Sequence, residues 1–185
     1  MLTREEALAL LKSKNTEANL IHHALESEAV LRGLAERLGK DVELWGVTGL
    51  LHDLDYATTK IEVARHGLDS AEWLEGQLPA EALDAIRRHA CEMNGAEGPS
   101  TDFDYALRCG ETVTGMVHAG ALVRPTKIEG MAAKSLKKKM KDKAFAASVN
   151  RDCIRECDKL GLELGDFLQL AIDSVTKIAP EVGLA

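Results

Sequence analysis

Six histidines punctuate the chain, at positions 22, 23, 52, 66, 89 and 118, and His52 is followed directly by Asp53. Imidazole nitrogens and carboxylate oxygens are the donor set of divalent transition metals such as Mn, Fe, Co and Ni. The four cysteines (Cys91, Cys109, Cys153, Cys157) contain no C-x-x-C pair, which argues against a structural zinc. Whether the histidines can converge depends on the way each one faces. Leu20, Ala24, Ser27, Leu31, Leu34 and Leu38 mark one face of a helix, and His23 lies about 60° from Leu20, within the apolar arc. His22 lies about 160° away, near Glu26 and Ala29, and reads as a solvated surface residue.

A second helix carries a sharper oddity. Phe103, Leu107, Val117, Ala121 and Leu122 define its buried side, and Glu111, Thr114 and His118 share that side. A carboxylate on an apolar stripe must be paired, protonated or bound to a metal, because burying it unpaired is costly. His89 falls in the arc of Ala82, Ile86 and Ala90. One inward histidine is ordinarily a hydrogen-bonded core residue. Several of them, with Glu111 and the His52-Asp53 pair, point to a metal site.

His52 and Asp53 are about 100° apart on a helix, so they share an ion only from near its last turn. Asp53 is the natural bridge if two ions bind, since its two oxygens can reach both. A bound divalent ion lowers the pKa of its water toward neutrality, which supplies a nucleophile. Asp55 either orients that water or a ligating histidine, or only hydrogen-bonds the turn.

The elements that must position these groups are helical almost throughout. Thr3 and Glu6 form a capping box for a helix over about 4–13. A longer helix runs over about 16–38 and stops at Gly39. Asp41 caps the next, whose apolar run ends at His52 and Asp53. Shorter helices are expected at 59–66 and 69–76, and Pro79 opens another that runs to His89. Asn94-Gly95 and Gly98-Pro99 mark 91–102 as a loop; loops 54–70 and 91–102 are the ones expected to fold over the site. Helix resumes over 102–123, and further helices are expected at 128–140, 143–160 and 164–179. The fold class is all-α: one domain over 1–185, with a motif core at about 15–145 and C-terminal helices packed on it.

Composition narrows the function classes. The chain of 185 residues is 45% hydrophobic and only 4% aromatic, with a formal charge of −7. Few aromatics and an acidic surface disfavour a nucleic-acid platform. No stretch approaches the roughly 18 apolar residues of a membrane span, and the first residues do not form a secretory signal. A reduced, cytoplasmic protein is the expectation. Against that charge, Lys134, Lys137, Lys138, Lys139, Lys141 and Lys143 face only Asp142, a local net of +5. This run either draws in a phosphorylated substrate or is a solvated helix face. Arg87, Arg88 and Arg124 either contact phosphate or sit at helix ends and on the surface. Cys153 and Cys157 read as core thiols.

The strings HHALESEAVLRGLAERLG, ELWGVTGLLHDLDYATTK, RHGLDSAEWL and TVTG followed by ALVRP resemble the HD superfamily of metal-dependent phosphohydrolases. They are similar in particular to a bacterial group of the HDIG type described as predicted hydrolases. The upstream His23, 29 residues before His52, carries the likeness further than the dipeptide alone. The resemblance implies an HD helical bundle and a first metal on His23, His52, Asp53 and a distal acid. It implies a second metal on His66 and His89. The distal acid falls on Glu111, in GETVTG where the pattern has Asp, and its extra methylene displaces the carboxylate. His118, Arg124 and Lys143 are the candidates for substrate binding, and Asp53 and Asp55 for catalysis. The implied activity is hydrolysis of a phosphomonoester or phosphodiester, nucleotides included, with one or two divalent ions. The alternatives are a di-iron HD-fold oxygenase and a non-catalytic metal- or ligand-binding domain.

Overall fold

The computed structural model describes residues 1–185. It is all-helical, with no strand. The first helix, α1 (Arg4–Lys14), opens on the expected reciprocal Thr3–Glu6 capping box. The second, α2 (Ala18–Leu38), ends at Gly39, whose φ of 66° lets its N–H reach back to Ala35 and Glu36 carbonyls. Asp41 accepts a hydrogen bond from Leu44 N and starts α3 (Val42–Leu51). Every residue from Leu44 to Leu51 is buried, as a helix apolar all round must be. The third helix is therefore the central one, packed against α2, α1 and α8 (Asp102–Leu122). Gly49 makes this approach possible: a Cβ there would lie 2.9 Å from the Ser27 carbonyl oxygen on α2.

After α3 the chain turns through His52–Asp55 into α4 (Tyr56–Thr59) and a 3-10 turn, Val63–Arg65. These two short pieces replace the single helix expected over 59–66. Then come α5 (Leu68–Trp73), α6 (Ala80–His89) and α7 (Cys91–Asn94). The last is one turn inside the segment expected as loop, closed by Gly95 at φ 74°. Helix α8 starts on a capping box of Thr101 with Asp104. Beyond it lie α9 (Ala133–Lys139), α10 (Arg151–Arg155), a 3-10 turn over Glu156–Leu160 and α11 (Leu164–Lys177). Helix α11 packs on α2, α8 and α9, and one core cluster runs from Ala7 to Leu184.

The expected helix over 143–160 is confined to its second half. Ala146 has a φ of 44°, and the Arg151 side chain occupies the carbonyls of Phe145, Ala146 and Val149. Asn150 then caps α10 by accepting from Asp152 N. Residues 141–150 are thus an irregular strap rather than a helix. Its Ser148, Val149 and Asn150 form one wall of the cleft described below.

Candidate metal centre

Four imidazoles surround one carboxylate. His23 comes from α2, His52 and Asp53 from the end of α3, His66 from the turn before α5, and His89 from the last residue of α6. Asp53 Oδ1 lies 3.3 Å from Nε2 of each of His52, His66 and His89, and Oδ2 lies 3.5 Å from His23 Nε2. The Nε2 atoms of His23 and His52 are 3.3 Å apart, and those of His66 and His89 are 3.2 Å apart. Two donor triads result, His23–His52–Asp53 and Asp53–His66–His89, each with its atoms within 4.8 Å of one another. Asp53 belongs to both.

The tautomers follow from what each Nδ1 meets. His52 Nδ1 donates to Gly49 O at 2.8 Å and His89 Nδ1 to Ile86 O at 2.6 Å. His66 Nδ1 donates to Asp55 Oδ1 at 2.9 Å. His23 Nδ1 faces Thr114 Oγ1 at 2.9 Å, and that hydroxyl spends its own proton on Glu111 O. Every Nδ1 has an acceptor, so every Nε2 presents a lone pair to the centre. Lone pairs that face one another across about 3 Å, with a carboxylate between them, repel unless a proton or a metal cation lies among them. A divalent ion fits this donor set.

Electrostatics agree. Burial alone would raise Asp53, but the surrounding imidazoles, His52 foremost among them, together outweigh it and hold its carboxyl well below the ordinary value. Burial, with His89 and His23 nearby, drives His52 down to about 3, despite Asp53 beside it. His52 therefore stays neutral. His89 is raised, because its hydrogen bond to Asp53 overcomes its burial; in the metal-free chain Asp53 thus favours a proton on His89 Nε2, which a bound cation would displace. Burial pushes Glu111 up to about 7.

The turn after α3 is fixed by Asp55, which is fully buried. Its carboxylate accepts from His66 Nδ1, from Gly67 N at 2.7 Å and from Ser70 N at 3.0 Å. Asp55 thus holds the turn and orients a histidine at once. Gly67 is required there: its φ is 77°, and a Cβ would meet the Ile86 carbonyl at 2.8 Å and His89 at 3.0 Å.

Glu111 approaches the centre without joining either triad. Its Oε2 is 3.8 Å from His23 Nε2, and its Oε1 accepts from the Thr112 hydroxyl. His22 lies outside the centre, as expected, but is half-buried rather than solvated, because the C-terminal turn at Gly183 lies alongside it. The three expected substrate-binding residues do not line the metal cleft. His118 sits in a neighbouring depression with its Nδ1 2.6 Å from the buried Glu26. Arg124 is occupied by the carbonyls of Lys127 and Glu129, closing the turn after α8. Lys143 is exposed on the strap.

The cleft over Asp53 has a volume of about 570 Å³, room for a small metabolite. Beyond His23, Asp53, His66, His89 and Glu111 it is walled by Asn19, Tyr56, Glu92, Met93, Thr112 and the strap residues. The HD domain family model matches residues 20–144.

The chain belongs to the HD-domain family.

No curated protein and no solved structure matches it. HD domains bind divalent metals and are largely metal-dependent hydrolases, and this domain's His/Asp cluster is compatible with that. Sequence reasoning missed Arg108, the largest fully buried side chain, which lies one turn before Glu111 on α8. It donates to Glu92, Glu156 and the His89 carbonyl, tying three elements of the cleft wall together. Its only signal was a cation on an otherwise buried helix face. Thr114 was visible on the same stripe, with no role assigned.

Proposed function

We propose that this HD domain, of the HDIG type, is a metal-dependent phosphohydrolase that cleaves a phosphomonoester or phosphodiester, nucleotides included. One observation carries the reading: four Nε2 lone pairs, each with its Nδ1 proton held by an acceptor, close on the shared carboxylate of Asp53. His23, His52 and Asp53 would hold one ion, with Glu111 beside them, and Asp53, His66 and His89 a second. Mn, Fe, Co and Ni are the ions suited to these donors. Divalent ions held there supply Lewis acidity and a water of lowered pKa for attack on phosphorus.

The chain's own groups do the rest. Asp53 keeps its charge and spans both triads. Asp55 and Thr114 hold His66 and His23 in the ligating tautomer. Asn19, Tyr56, Thr112, Ser148 and Asn150 offer neutral hydrogen-bonding groups to the substrate in the cleft. All four cysteines are free thiols, which suits a reducing compartment such as the cytoplasm. No helix is long and apolar enough to cross a membrane.

The test is p-nitrophenol release from p-nitrophenyl phosphate and its bis-ester with each of the four ions in turn. Metal-dependent turnover, lost in Asp53→Asn, is expected. Absence of p-nitrophenol release from both esters with all four ions would overturn the proposal.

A further inference from the structure

The cleft contains metal-binding donors but no fixed cation of its own. Neither lysine nor arginine lines it, and the neighbouring guanidinium groups are already engaged. Arg108 is bidentate on both Glu92 and Glu156, so that trio still carries a net negative charge. Arg151, adjacent to Asn150 in the wall, turns back onto the carbonyls of the strap. Arg88 pairs with Asp104. Arg124 closes its own turn, and His118 is held by Glu26 in the adjoining depression.

The wall itself presents Glu92 in addition to Asp53 and Glu111, while Asn19, Thr112, Ser148 and Asn150 are neutral. With the imidazoles engaged as ligands, positive charge in this cleft comes from bound metal, and one phosphoryl group suffices to satisfy it. A second anionic group on the same substrate would meet acids and amides, without a counter-charge. Like charge placed opposite a carboxylate is how a site rejects a competitor of similar shape.

We infer that the substrate carries a single phosphoryl group on an otherwise uncharged body bearing hydroxyl or amide groups, and that a second anion on that body is selected against. This rests on the phosphohydrolase reading and specifies its substrate class.

The test is calorimetric binding to the manganese-loaded protein of two near-isosteric esters, glycerol 3-phosphate and 3-phosphoglycerate. They differ chiefly by a carboxylate, and neither is a polyphosphate that would strip the metal. Glycerol 3-phosphate is expected to bind about tenfold or more tightly, the equivalent of ~1.4 kcal/mol. Ser148→Lys, which places a cation in the exposed strap wall, should narrow the gap by strengthening phosphoglycerate more than glycerol 3-phosphate. Equal or tighter phosphoglycerate binding by the parent protein would overturn the inference and leave the phosphohydrolase reading standing. Failure of both esters to bind protein that demonstrably holds manganese would overturn the two together.

Discussion

Asp55 offers a substitution whose consequence follows from a single proton. Its Oδ1 accepts from His66 Nδ1 at 2.9 Å, and its Oδ2 accepts from Gly67 N at 2.7 Å and Ser70 N at 3.0 Å. In Asp55→Asn the amide oxygen can keep both backbone donors, which leaves the NH2 facing His66. The imidazole must then accept at Nδ1 and carry its proton on Nε2, the atom aimed at Asp53 and His89. Loss of a group that orients a ligating histidine costs ten- to a hundredfold in metal affinity, about 1.4–2.7 kcal/mol. Fold stability should fall by only about 1 kcal/mol, because the turn keeps its bonds. Asp55→Ala removes every acceptor and strands three buried donors at ~1–3 kcal/mol each. Water entering the vacated space recovers part of that, leaving a loss of about 3 kcal/mol. Urea unfolding of metal-free protein measures the stability loss; metal titration of both variants measures affinity. An asparagine variant that binds both ions as the parent does would refute the tautomer argument. Loss of stability equal to that of alanine would refute the retained turn.

Other substitutions probe the rest of the account. Arg108→Met should destabilise by about 3 kcal/mol, at the low end for breaking a buried ion pair because Glu92 is largely solvated, seen as a lower urea midpoint. Glu92 is held down to about 2 by its hydrogen bonds to Arg108, so that pair stabilises above the unfolded carboxyl value and its contribution fades as pH falls toward 2. The acid branch of a pH–stability curve should therefore flatten in Arg108→Met. His118 is raised by its hydrogen bond to Glu26, so its contribution is full below the ordinary imidazole value and is lost as pH rises through the folded one. His118→Phe should level Tm against pH across that range while sparing metal binding. Thr114→Val removes the acceptor at His23 Nδ1 and should weaken the His23 ion about tenfold or more in a metal titration.

Much of this could be read from residue order because helices were the only elements involved. Period 3.6 placed His23 and His89 inward, and the caps at Thr3, Asp41 and Gly39 needed only local chemistry. The pairing of His66 with His89 came from family likeness instead, since His66 lies in a turn where no periodicity applies. What stayed hidden depends on contacts distant in sequence. Glu26 lies toward the polar side of α2 by periodicity and Glu28 at the edge of its apolar arc, yet both are buried, Glu28 because Arg4 and Arg32 close over it. The strap over 141–150 has helix-forming residues, and only the Arg151 side chain reveals why they do not form one. Arg124 and Lys143 looked like phosphate ligands by charge alone, but charge does not tell where a side chain goes.

The centre itself is tested most directly by native mass spectrometry of the folded chain titrated with manganese or cobalt. Two ions per chain are expected, falling to one in His66→Ala and to one in His23→Ala. In Asp53→Ala, where the shared carboxylate is gone, tight binding of both should be lost. A parent chain that takes up no ion at saturating metal, or an Asp53→Ala variant that retains two, would contradict this expectation.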